Sequence, residues 1–155
     1  MNTHELNNKT KTLRQYWMSV LATTDFERLS DLWQAQSFTP DYQLIRAPEI
    51  GLAQVQARMG GTGNRFNVGD ITVTRCVVKL ANGDLGYSYL SGRNKAHAEL
   101  AAVIDALMQS QTYQHELMLS LIEPLQTLRD QKHQQRQQQV ASSKVDFFTL
   151  VRGDD

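Results

Sequence analysis

Cysteine occurs once in this 155-residue chain, at Cys76. One thiol cannot form an intrachain disulfide or build a cysteine metal site, so no metal is expected from this residue type. Long apolar runs are missing as well. None approaches the roughly 20 residues of a membrane span, and the opening MNTHELNNKTKTLRQYW lacks the uninterrupted apolar core of a signal peptide. An excess of charge is also absent: 16 basic side chains meet 16 acidic ones. That balance leaves no broad electrostatic footprint for nucleic acid or an anionic membrane. A soluble, cytoplasmic protein without a nucleic-acid or membrane partner is the expectation. The length suits one domain with enough apolar residues to bury its own core.

What the chain does have is concentrated in residues 58–93, RMGGTGNRFNVGDITVTRC followed by VVKLANGDLGYSYLSGR. Gly60, Gly61 and Gly63 open it, a β-rich run covers 71–80, and Asn82-Gly83 turns the chain into a second run at 85–91. Asn-Gly between two such runs is a strong hairpin signal and points to a type I′ turn, in which both central residues take positive φ.

On either side the pattern is helical or strand-like. Residues 1–11 are polar and read as a disordered N-terminus. Leu13, Trp17, Val20 and Leu21 have helical spacing, and Phe26, Leu29, Leu32 and Trp33 repeat it after a break at 23–25. Asp25 is placed to cap the second helix, and the two read as a packed helical hairpin with aromatic core residues. Residues 42–46 form a strand, Pro48 and Gly51 punctuate, and 52–58 alternates, with Ala53, Val55 and Ala57 opposite Gln54, Gln56 and Arg58. The second of these reads as a half-buried strand leading into the glycines. After Asn94, a helix N-cap, Leu100, Val103, Ile104, Leu107 and Met108 make one stripe. Leu117, Leu121, Ile122, Leu125 and Leu128 make another, with Pro124 expected to kink that helix or start a new one.

The expected fold is therefore α+β. An antiparallel meander sheet of about four strands packs with helices from both ends of the chain, and an extended C-terminal arm follows. The core domain covers 12–128. Residues 129–155 form a polar helical spacer, RDQKHQQRQQQ at its centre, and an apolar arm carrying Val145, Phe147, Phe148, Leu150 and Val151. The arm either returns to its own sheet or docks on another subunit.

Two clusters invite anion chemistry. Gly60, Gly61, Thr62, Gly63 and Arg65 form a loop whose backbone N-H groups can converge on phosphate, or a wide hairpin loop and nothing more. It is neither a P-loop nor a dinucleotide fingerprint, because a strand and not a helix follows. Arg93, Asn94, Lys95 and His97 gather at a helix N-terminus, which favours an anion; His97 also lines up with Ile104 and Leu107 and reads equally as a satisfied, partly buried histidine. Arg75 and Lys79 share a strand face with Ile71, Val73 and Val77, so they need a counter-charge such as Asp70 or Asp84, or a partner. Cys76 reads as a small core residue. No spacing suggests an activated nucleophile, and no catalytic residue is assigned.

Three blocks, 60–76, 85–109 and 144–154, together with RQYWMSVLA near the start, resemble the G subunit of the bacterial carbon-phosphorus lyase system for phosphonate use. The resemblance covers nearly the whole chain. Asn94 stands where aspartate is common in that family and Tyr87 where histidine also occurs, so no catalytic role is carried over to position 87. It implies a subunit of a core complex with H, I and J subunits, joined by the K and L nucleotide-binding proteins. With the H, I and L subunits, it implies support for transfer of the ribose triphosphate of ATP to methylphosphonate with release of adenine. The product implied is α-D-ribose 1-methylphosphonate 5-triphosphate. The chain itself then binds no cofactor, MgATP being a substrate of the assembled complex. Membership also favours docking of the arm on another subunit, including a second copy of this chain. The alternative from a different class is an autonomous phosphate- or nucleotide-binding module.

Overall fold

The computed structural model describes residues 13–142, and the arm residues 145–151 and the N-terminal residues 1–12 lie outside the described part. In chain order the elements are α1 (Leu13–Thr23), α2 (Phe26–Gln34), β1 (Tyr42–Arg58), β2 (Arg65–Leu80), β3 (Leu85–Ser91), α3 (Lys95–Met108), α4 (Gln111–Leu117), a π turn (Met118–Ile122) and α5 (Glu123–Ser142). The expected α+β class holds, with an antiparallel meander in the order β1-β2-β3.

Among the described residues the sheet has three strands where about four were expected. Residues 42–46 and 52–58 are parts of one strand, β1, that runs through Pro48 and Gly51. Register shifts between Leu44 and Arg46 and between Arg46 and Glu49 absorb the proline. An edge strand tolerates this, because a proline there leaves no ladder partner unsatisfied. β2 begins at Arg65, six residues before the β-rich run. Asn67, Gly69 and Asp70 have poor strand propensity, and pairing with 54–58 overrides it.

The hairpin after β2 is present, with a different turn from the one expected. Among the described residues no non-glycine residue has positive φ, so Asn82 does not take the type I′ conformation. Instead the Gly83 N-H donates to the Leu80 carbonyl and Gly83 sits at φ 98°, the pattern of a three-residue loop closed by Leu80 and Asp84.

Helix α3 is the centre of the body. Alanines at 98, 101, 102 and 106 let it lie close on the inner face of the sheet, and Ile104 and Met108 are fully buried. Gly86 shows how close: a Cβ there would stand 1.9 Å from the Ala102 carbonyl oxygen. The inner face supplies Thr74, Cys76, Val78 and Leu80 from β2 and Ser88 and Leu90 from β3, all buried. The α1 and α2 helices do not form the expected hairpin; α1 packs on α3, β3 and the π turn, and α2 on the π turn. Asp25 stands at the N-cap of α2 but makes no side-chain cap; its carboxylate instead meets Lys132 Nζ at 2.9 Å.

Pro124 acts as expected, through a π turn. It has no N-H for the Ser120 carbonyl and its ring would strike that oxygen, so the chain widens over 118–122 before α5 continues. Leu117, Leu121, Ile122 and Leu125 are fully buried, while Leu128 is exposed. The whole of α5 runs 20 residues to Ser142, with every side chain from 132 to 141 exposed.

Candidate functional site

The two sequence-predicted clusters lie at opposite ends of one projection. β2 pairs with β3 only from Val73 to Lys79, whereas it pairs with β1 out to the Arg58–Arg65 pair. Residues 51–58 and 65–72 thus leave the three-stranded sheet as a two-stranded ribbon, roughly 26 Å long at the usual rise per residue.

Its tip is the glycine loop. Met59–Gly61 forms a single 3-10 turn, Gly60 and Gly61 take φ of 61° and 81°, and the Gly63 N-H donates to the Met59 carbonyl at 2.9 Å. A Cβ at Gly63 would fall 2.6 Å from that oxygen. The expected wide hairpin loop is therefore a tight, hydrogen-bonded turn, and its geometry accounts for all three glycines. Thr62 and Arg65 are exposed, and Arg65 pairs directly across the ladder with Arg58. Like charges so placed repel unless a counter-charge arrives from outside.

The base of the ribbon meets the start of α3. The Gly92 N-H donates to the Thr72 carbonyl and Thr74 Oγ1 donates to the Gly92 carbonyl. Asn94 caps α3 as expected, its side-chain oxygen accepting from the His97 N-H at 2.9 Å. The basic cluster then splits. Arg93 and Lys95 point to solvent. His97 is buried, donates from Nε2 to the Leu21 carbonyl at 2.8 Å, and lies against the Phe26 ring. Burial pushes its pKa below the ordinary value, and the Leu21 carbonyl only partly offsets that. His97 is a satisfied structural histidine joining α3 to the α1–α2 junction.

The remaining candidates resolve on geometry. Cys76 is fully buried, donates to the Arg46 carbonyl, and has its pKa pushed up to about 11 by burial, which keeps it a thiol. Arg75 does find a counter-charge, from Glu49 on β1 and not from Asp70 or Asp84. Lys79 is exposed and, among the described residues, stands in no ion pair.

One polar node escaped the sequence pattern. Asp105 is fully buried inside the apolar stripe of α3. It accepts two bonds from the Arg14 guanidinium, at 3.1 and 2.7 Å, one from Trp17 Nε1 at 2.9 Å and one from the Tyr87 N-H at 2.9 Å. Four donors satisfy the carboxylate and tie α1 and β3 to α3. A second acid, Glu99, accepts from the Tyr42 hydroxyl at 2.7 Å, and that bond pushes the Tyr42 pKa up to about 12. Both acids act as ties between elements. Among the described residues no group of three or more His, Cys, Asp and Glu side chains could hold a metal ion. No described helix is long and apolar enough to cross a membrane.

With that geometry in place the likeness to known proteins becomes decisive. The family described as phosphonate metabolism protein PhnG matches residues 12–153. The chain belongs to this family. A curated member, α-D-ribose 1-methylphosphonate 5-triphosphate synthase subunit PhnG of Rhizobium meliloti (strain 1021), is 38% identical over 142 residues, which cover 92% of this chain and 90% of the relative. The PhnG match takes in the ribbon, the Asp105 node, α5 and the terminal block alike. The resemblance carried by blocks 60–76, 85–109 and 144–154 is thus confirmed over nearly the whole length.

Proposed function

We propose that this chain is a non-catalytic subunit of an α-D-ribose 1-methylphosphonate 5-triphosphate synthase, working in organic phosphonate catabolism within a carbon-phosphorus lyase core complex. The observation that carries the reading is the 38% identity to a synthase subunit over 92% of the chain. The chemistry of the described residues agrees with a supporting role. Cys76 is held as a thiol, His97 is committed to the Leu21 carbonyl, and Asp105 is committed to four donors.

In this reading the assembled complex moves the ribose triphosphate of MgATP onto methylphosphonate and releases adenine, in the cytoplasm. The H, I and J subunits are the direct partners, the K and L nucleotide-binding proteins join them, and a second copy of this chain is present. Gly60, Gly61, Thr62, Gly63 and Arg65 contact a neighbouring subunit or the phosphates it holds, a role that the like-charged Arg58–Arg65 pair supports. Arg93, Asn94 and Lys95 form a separate contact at the ribbon base, with His97 bracing it. Val145, Phe147, Phe148, Leu150 and Val151 are the docking arm, following α5 in the chain.

The test is co-expression of the tagged chain with the H, I and J subunits, beside a version ending at residue 143. The full chain recovers a complex that, with the L subunit, MgATP and methylphosphonate, releases adenine; the shortened chain recovers little, and the chain alone releases none. If the full chain elutes alone and binds ATP with an affinity that Arg65→Ala weakens, the autonomous phosphate-binding module replaces this reading.

A further inference from the structure

The two faces of the sheet are chemically unlike each other. Every cross-strand pair on the inner-facing side of the ribbon beyond Leu52–Thr72 is polar: Gln54–Asp70, Gln56–Asn67 and Arg58–Arg65. On the outer side the pairs are Gly51–Val73, Ala53–Ile71, Val55–Gly69 and Ala57–Phe66, all apolar. That outer strip continues onto the three-stranded part, where Tyr87 and Tyr89 stand beside Val77 and Arg75. Away from Val73, which is buried, and Tyr87, whose ring lies under the Arg14 guanidinium of α1, the strip stands open: Phe66 is 46% exposed, Ile71 43% and Tyr89 54%. An antiparallel sheet that faces only water alternates apolar-in and polar-out. Here the projecting ribbon does the reverse.

We infer that the outer face of the β1–β2 ribbon is the surface by which this chain is built into its complex, and that it is covered by another protein subunit presenting an apolar strip bordered by carboxylates. The inference rests on the subunit reading above and adds where the contact lies. Three observations select the occupant. Where the strip joins the sheet, Arg46 and Arg75 share the one acid Glu49 and Lys79 has no acid paired with it among the described residues, so the face carries an excess of positive charge and calls for acidic groups opposite. The free edge of β1 is blunted by Pro48 and two register shifts, so edge-to-edge pairing is obstructed while the face stays open. The face, counting ribbon and sheet, projects on the order of 600 Å², close to one side of a standard protein interface. A second copy offers the same positive fringe and therefore the wrong charge.

The experiment uses the full chain co-expressed with the H, I and J subunits. Phe66→Ser with Ile71→Ser lowers the recovered complex by roughly tenfold or more, as expected for apolar anchors at an interface centre, and Lys79→Glu lowers it less. Leu52→Ser, on the opposite face, leaves recovery within twofold. Tyr89→Ser provides a second probe of the face should the double variant alter the thermal melt of the isolated chain. Hydrogen exchange at 51–58 and 65–72 slows on assembly. Wild-type chain that recovers no partner sinks the subunit reading itself. Recovery by the wild type that the double variant and Tyr89→Ser both retain overturns the inference alone. An isolated chain that forms a dimer which the double variant disperses also overturns it, because the face is then covered by a second copy.

Discussion

The helical body and the β1–β2 ribbon are built from the same strands and obey different rules. In the body, strand residues at 74, 76, 78 and 80 meet α3 with no exposed apolar surface between them, and the buried acid Asp105 is saturated with donors. A few residues away on the same β2 strand, Phe66 and Ile71 stand open and the glycine turn closes the projection. An isolated two-stranded ribbon is marginal in water, so its stability comes from continuity with the sheet. The difference teaches that one region answers to folding and the other to a surface outside the chain.

The largest effect that would sharpen this contrast belongs to Asp105. Asp105→Ala strands the Trp17 and Tyr87 donors and the Arg14 charge, and lowers stability by about 3–4 kcal/mol in urea unfolding; Arg14, 37% exposed, keeps some access to water, which limits the loss. A loss below about 1 kcal/mol would place the body's organisation elsewhere. Gly86→Ala comes next at roughly 3 kcal/mol, because the added methyl meets backbone at Ala102 and the strand and helix must separate. Its checks are the same unfolding curve and a lower melting temperature.

A smaller effect follows from His97. Its folded pKa lies below the ordinary value near 6.5, so the unfolded chain takes up the proton more readily. The stability it contributes is complete above that ordinary value and declines as pH falls below it. Melting temperatures at pH 7.5 and 5.5 should differ more for the wild type than for His97→Gln; equal differences would assign the acid sensitivity to other groups. The smallest effect is in the ribbon, where Leu52→Ser or Phe66→Ser changes the stability of the isolated chain by no more than about 0.5 kcal/mol. A drop of 2 kcal/mol there would show that the ribbon is covered in the free chain and would break the comparison.

Much of the helical body is legible in the sequence because helical periodicity repeats over several turns. The stripes at 13–21, 26–33, 100–108 and 117–128 supply the packed faces of their helices except at the ends, where Leu13 and Leu128 stay exposed, and Asn94 caps where its side chain predicts. The Asn82–Gly83 hairpin is legible too, though not its turn, since glycine alone takes the positive φ. The continuous β1 strand was not legible, because Pro48 and Gly51 carry break signals that an edge strand with bulges absorbs. Asp105 was hidden by its apolar neighbours: an acid in a helix stripe looks like an interruption until Arg14 and Trp17, some 90 residues earlier, are seen to reach it. The two basic clusters were visible as clusters, and only the ribbon's length separates them.

Family and broad class were determined by the sequence alone, since motif blocks and local periodicity are properties of the chain read in order. The same holds for the absence of disulfide and of net charge. That the alternating strand 52–58 projects beyond the core, and which of its sides continues the core-facing side of the sheet, was decided only by tertiary structure. Alternation says that two faces differ, and it carries no information about where the helices lie; α3 settles on the face of Cys76 and Val78 and leaves Ala53, Val55 and Ala57 on the other.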